Sequence, residues 1–424
     1  MTYLKEQFDA LLEYWPDEDQ ALRSLRKDAF KHFNKLGFPN KKWEEWKFTN
    51  FSGIEKSEYR LSWADDLPQI PSQIPGQISD THTIFIINGH YQSQLTDIPH
   101  GVTVPTGLDH FKSNPDFYAL NGSKNPFFAL NTSMMNSGVP VMVAPNTIVK
   151  KPIQVIYFMT DLSDPLMNHP RYIFEIGENS QVTIIEHYIG ISGLPYFVNP
   201  VTQATLGQNA SLNHIRIQED DEAGNHTAST HYNLAFDSRL NATGISIGGQ
   251  LVRHDIQLKF YGDGANATIN GLSLTEHNQH HDQHVLVDHQ NDACHSRQLF
   301  KYILADKSSG VFNGKVIVRK NTKQTDADQS NKNLLLSPTA LMNANPQLEI
   351  YADDVKCSHG STTGQIDPEA IFYLCSRGIS KRKATELIIS GFAKDILDTV
   401  NNENVNAYVS DKIENWLERV QSDD

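Results

Sequence analysis

Cys357 and His359 are the residues in this chain whose types and spacing most readily suggest chemistry. They stand two positions apart in residues 351–366, Y-A-D-D-V-K-C-S-H-G-S-T-T-G-Q-I, and no other cysteine has a histidine at that distance. In an extended strand, positions i and i+2 project to one face, so thiol and imidazole would lie side by side. Such a pair admits three chemistries. It can act as nucleophile and base, which normally needs a third group to orient the imidazole. It can ligate a soft or borderline metal. Or it is a buried thiol and a strand-end imidazole that only pack. Leu348, Ile350 and Ala352 share one parity, and Val355 and Cys357 share the other. The switch at 353–354 predicts a bulge or tight corner, and Gly360 and Gly364 are expected to end the strand.

A second group is the histidine-rich stretch 276–295, with His277, His280, His281, His284, His289 and His295. Clustered histidines can bind zinc or iron, which keeps a histidine-rich metal-binding protein as an alternative. Residues 285–287 read as strand, however, and there i and i+4 share a face about 13 Å apart. That is too far for His280 and His284 to chelate one ion. Two glycine-rich runs imitate phosphate loops. G-V-F-N-G-K-V at 310–316 is one residue short and lacks the Ser/Thr, and the run at 262–267 is followed by a strand pattern instead of a helix. No intrinsic nucleotide site is expected, so any ATP-driven step would need a separate subunit.

The run 348–367, L-E-I-Y-A-D-D-V-K-C-S-H-G-S-T-T-G-Q-I-D, is followed by F-Y-L-C-S-R-G-I at 372–379. Further segments are N-P-F-F-A-L-N-T at 125–132, K-W-E-E-W-K-F-T at 42–49 and Q-T-D-A-D-Q at 324–329. Together these resemble the SufB/SufD family, the scaffold subunits of the SUF iron–sulfur cluster assembly machine, and K-C-S-H-G is similar to the SufD form. SufB-type chains have a sequence resembling E-H-E-A-T there and carry a cluster-building cysteine on an earlier strand, whereas this chain has no cysteine between Cys294 and Cys357. The resemblance implies a right-handed parallel β-helix that pairs with a SufB-like subunit. It implies a SufC-like ABC ATPase bound by the C-terminal helices, around Arg377, Gly378, Ile379, Gly391 and Phe392. It places His359 at the shared interface, where a nascent iron–sulfur cluster would form, with Cys357 beside it. A homodimer in the absence of partners stays open. The cysteine count agrees with sharing: a cluster usually takes four thiolates, and this chain has only Cys294, Cys357 and Cys375, with no CxxC. A partner would have to supply most ligands to such a cluster.

With 424 residues the chain can form two or three domains. Its apolar content of 39% and charged content of 20% are ordinary for a globular protein. The net charge of −14 argues against nucleic acid and anionic membrane as partners. It also opposes the other alternative, a stand-alone β-helix hydrolase or lyase acting on acidic polysaccharide. No apolar run reaches the ~18 residues of a membrane span. The opening M-T-Y-L-K-E-Q-F-D has neither a basic region nor an apolar core, so no secretory leader is expected. Three cysteines suit a reducing cytoplasm.

These residues must be positioned by three kinds of element. Leu22, Leu25, Ala29, Phe30, Phe33 and Leu36 form one helical stripe, stopped by Gly37 and Pro39. Trp43 and Trp46 read as packing residues that pin a helix to its neighbour. The proline-rich run 65–77 reads as a linker. A first strand is expected at 83–88. From 139 to 354 short alternating runs recur, and asparagines 179, 209, 241 and 266 suggest a turn-plus-strand repeat at steps of 30, 32 and 25, as stacked solenoid coils produce. Helices return after Gly364, with Asp367 and Ser380 as caps and an apolar stripe from Val405 to Val420. The expected fold is mainly β: a β-helix core at 81–366, an N-terminal helical domain and linker at 1–80, and a C-terminal helical domain at 367–424.

Overall fold

The computed structural model describes residues 2–63, 73–120, 123–160, 164–191 and 193–422. The proline-rich run lies outside the described residues as far as position 72. Eight α-helices are described: α1 Thr2–Tyr14, α2 Gln20–Leu36, α3 Ser52–Lys56, α4 Gly107–Ser113, α5 Pro126–Met134, α6 Pro368–Ser376, α7 Lys381–Leu397 and α8 Glu403–Ser422. The chain winds into a parallel β-solenoid, begun by a strand before α4 and continued between α5 and α6.

Successive strands alternate between two ladders. One runs Pro140–Val143, Arg171–Ile176, Val201–Leu206, Gly224–Leu234, Leu251–Phe260, His280–His289, Ser309–Val318 and Leu341–Ile350. The other runs His82–Ile87, Ile153–Met159, Gln181–Gly190, Ser211–Glu219, Arg239–Ile247, Asn266–Thr275, His295–Leu304, Thr325–Leu335 and Val355–Gln365. Every pairing along these two rows is parallel. Parallel sheets are normally covered on both faces, and in all but the last strand of each ladder more than half of the residues are buried.

The repeat has a different register from the one the asparagines suggested. Arg239 stands beside Ser211 and Asn266, so Asn241 and Asn266 lie in strands. The equivalents of Asn179 and Asn209 at the corner are Asp237 and Gly264, with steps of 30, 28 and 27. All four corner residues have φ between 53° and 73°, a region that Asn, Asp and Gly tolerate best. Corners are knitted coil to coil by backbone bonds, such as Asn179 N to Gln208 O at 2.9 Å and Asp237 N to Asp263 O at 3.0 Å. Asn209 Nδ2 also donates to Asn179 Oδ1 at 3.0 Å.

The first coils are covered on several sides. Short antiparallel pairings, Ile86 with Tyr91 and Val102 with Val143, close the ladder starts. Helix α5 is buried at every position, and Phe127 joins Trp46, Phe51 and Phe197 in one aromatic cluster. Helices α7 and α8 lie on the outer face of the second ladder. Ile389, Ala393, Ile396, Val409, Ile413 and Trp416 pack there against Ile215, Ile217, Ile245 and Leu272. Lys301 Nζ ties α7 down by donating to Phe392 O at 2.7 Å and to Asp395 at 2.6 Å. Among the described residues, no helix is long and apolar enough to cross a membrane.

Candidate functional site

The ladders end at Leu341–Ile350 and Val355–Gln365, and no described strand pairs with their far edges. Residues 351–354 form the corner between these two strands, which explains the parity switch: it is a change of sheet. Gly360 and Gly364 do not stop the final strand, which runs straight through both. A Cβ added at either would meet nothing within 4 Å.

Cys357 stands beside Ala327, and His359 beside Gln329. Ala327 and Gln329 are buried inside the coil, so the thiol and the imidazole sit on the inward-facing side of the last rung, in the mouth of the solenoid. Cys357 is half-buried against the core, and desolvation raises its thiol pKa. His359 is exposed, and no described residue hydrogen-bonds its ring. The relay reading therefore lacks its orienting group. Among the described residues no three His, Cys, Asp or Glu side chains converge as a metal would need. What the mouth can do is present one thiol and one imidazole to something brought from outside.

The mouth continues as a polar row that sequence reasoning missed. Ser361 Oγ donates to Asn331 Oδ1 at 2.9 Å, and Asn333 Nδ2 donates to Thr363 Oγ1 at 3.0 Å. Gln329 Nε2 donates inward to Gln298 at 3.1 Å. The available signal was alternation, since 329, 331 and 333 share one face of a strand with 361 and 363 facing them in the next.

The histidine-rich stretch is solenoid wall. His280, Asp282 and His284 share the outward face of strand His280–His289, where the 44–51 segment covers them. Thr49 Oγ1 donates to Asp282 at 2.5 Å and lies 2.9 Å from His280 Nε2, while Ser309 Oγ lies 2.7 Å from His280 Nδ1. Arg253 donates to Asp282 at 2.6 Å and stacks on Trp46 with 3.6 Å to the ring centroid. His280, Asp282 and Arg253 fasten the 44–51 segment, through Thr49, Glu45 and Trp46, to the first ladder.

Of the five residues expected at the ATPase contact, three are gathered at the α6–α7 corner. Arg377 reaches over Tyr373 at 5.3 Å, Gly378 turns with φ 86°, and the N–H of Ile379 donates to Leu374 O at 3.3 Å. Gly391 is exposed in the middle of α7, and Phe392 is turned toward Lys301 on the solenoid. Helix α6 buries no residue: Phe372 is 74% exposed and Tyr373 58%. That apolar exposure was not foreseen, because helical spacing does not reveal whether a covering surface exists.

The molecule is thus a parallel β-helix with an open final coil and helices along one outer face. The chain belongs to the SufBD family: the model "SUF system FeS cluster assembly, SufBD core domain" matches residues 158–392, and "SufBD protein N-terminal region" matches residues 7–155. Within that family it is 30% identical to iron–sulfur cluster assembly protein SufD of Escherichia coli (strain K12), over 95% of this chain and 96% of that one. It is 31% identical to a SufBD family protein of Synechocystis, covering 90% and 88%. It is 29% identical to the chloroplastic protein ABCI7 of Arabidopsis thaliana, covering 95% and 87%.

Proposed function

We propose that this chain is a non-catalytic scaffold subunit for iron–sulfur cluster assembly, divided at residues 80 and 366, and that its open solenoid end pairs with a SufB-like subunit. The observation that carries this reading is the unpaired final strand of both ladders, since an exposed strand edge is a template for another chain. Cys357 and His359 sit on that edge, so a nascent cluster at the junction would draw one imidazole from this chain and most thiolates from the partner. The same edge would pair two copies of this chain when the partner is missing. Helix α6 and the α6–α7 corner, with Phe372, Tyr373, Arg377, Gly378 and Ile379, supply the surface for a SufC-like ABC ATPase. Movement of α6–α8 on ATP binding would then reach the mouth through the last coil. The complex acts in the cytoplasm.

The test is co-expression with a SufB-like and a SufC-like chain, followed by mass measurement of the complex and cluster analysis. The expected result is a stable complex holding one copy of this chain, with cluster content lost in His359→Ala but assembly retained. A chain that stays alone, or an alanine variant with full cluster content, refutes the reading.

A further inference from the structure

A cavity of about 570 Å³ lies at the opposite end of the solenoid from His359, between the α1–α2 connection, α4 and the first rungs of one ladder. Its size is that of a site for a small organic molecule, roughly 300–1,000 Å³. The walls are largely aromatic and aliphatic: Trp15, Leu22, Phe111, Tyr118 and Met135. Two arginines line it, and both are buried. They differ in one respect. Arg26 is paired with Glu18 at 2.8 Å. Arg171 has no carboxylate within ion-pair distance among the described residues.

Arg171 is held by neutral acceptors: Asn131 Oδ1 at 2.9 Å, Gln203 Oε1 at 2.7 Å and Thr132 Oγ1 at 2.6 Å. It lies 4.9 Å from the Phe128 ring centroid. A buried guanidinium carries up to five N–H donors, so this one retains unused donors and an uncompensated charge. Burial, with Arg26 nearby, lowers its pKa, as expected of a cation without its counter-ion. One orphaned oxygen completes the lining. Glu18 Oε2 is buried without a hydrogen-bond partner, its side chain being only 6% exposed. An unpaired buried charge and orphaned polar atoms are costly unless something answers them.

We propose that this cavity is a binding site for a small planar aromatic anion. Its acidic group pairs with Arg171, its ring lies among Trp15, Phe111 and Tyr118, and a donor on it reaches Glu18 Oε2. The site is separate from the solenoid mouth and does not depend on the scaffold reading.

The test uses the full chain and two probes of similar shape, 8-anilinonaphthalene-1-sulfonate and uncharged N-phenyl-1-naphthylamine. The anion should bind one saturable site per chain, at least tenfold tighter than the neutral probe. Leu108→Trp, on the half-exposed rim, should weaken the anion at least tenfold. Arg171→Gln should reduce the anion's advantage toward unity; if that variant does not fold, Leu108→Trp and the ratio of the two probes decide. Phe372→Ala should leave binding unchanged. Equal affinity for the two probes, indifference to Leu108→Trp, or loss of binding in Phe372→Ala overturns the proposal.

Discussion

The two ends of the solenoid are built from the same repeat and finished in opposite ways. At the first coils, antiparallel strand pairs and α5 cover the sheet. Several buried polar groups in the covered coils pair with one another: Arg216 donates to His226 Nε2 at 2.6 Å, and His226 Nδ1 donates to Asp220 Oδ2 at 2.9 Å. Glu186 accepts from Tyr188 at 2.6 Å and Thr202 at 2.8 Å. At the last coil, every residue from Ser358 to Gln365 is exposed, and strand Val355–Gln365 has a neighbour on one side only. Stability resides where the coils are covered. The chemistry and partner contact proposed above belong to the end where they are not.

That contrast can be broken by substitution. Phe127→Ala in the closed cluster is expected to cost about 3–5 kcal/mol, the usual range for emptying an aromatic core site, measured by denaturant unfolding. Two glycines sharpen the point. An added Cβ at Gly271 meets the Phe300 ring and Gln283 Oε1, the latter at 2.6 Å, so Gly271→Ala should cost about 1–3 kcal/mol through overpacking. Gly360→Ala, at the open edge, should stay within about 0.5 kcal/mol.

Acid provides a third comparison. Burial holds His281 and His289 down to about 4, whereas an unfolded histidine titrates near 6.5. The unfolded chain therefore takes up protons first as pH falls. Stability from these groups is complete above about pH 7, declines below ~6.5 and levels off near pH 4, losing on the order of 1 kcal/mol per histidine by pH 5.5. His281→Gln should flatten the fall in unfolding midpoint between pH 7 and 5.5 by about that amount, and an unchanged slope would contradict the assignment.

The smallest effect on folding belongs to α6. Phe372→Ala should leave the unfolding midpoint unchanged within about 0.5 kcal/mol, yet weaken association with a SufC-like ATPase roughly tenfold or more, as loss of an exposed aromatic anchor does. Equal binding by the variant would move the contact elsewhere. Cys357 reports on the mouth: alkylation should proceed in the isolated chain, at a rate held down by its raised pKa, and be suppressed in the assembled complex.

Much of this was readable in the residues. The Leu22–Phe33 stripe, the Gly37 stop, the Asp367 and Ser380 caps and the turn-plus-strand recurrence depend on backbone sterics and periodicity, which act within a few residues of each other. They are present in sequence for that reason. So was the deficit of thiolates that leaves this chain short of a cluster's usual ligands. The register of the corners was misread because Asp237 and Gly264 satisfy the same left-handed conformation as Asn179 and Asn209. Gly360 was misread because a glycine breaks a strand only where nothing else holds it, and here pairing with Thr325–Leu335 does. Which histidines are wall, that α6 is left bare while α7 and α8 each bury a face, and that Arg171 has no carboxylate partner among the described residues were decided by tertiary structure alone. Each depends on what residues tens to hundreds of positions away bring to the surface, and no local pattern records that.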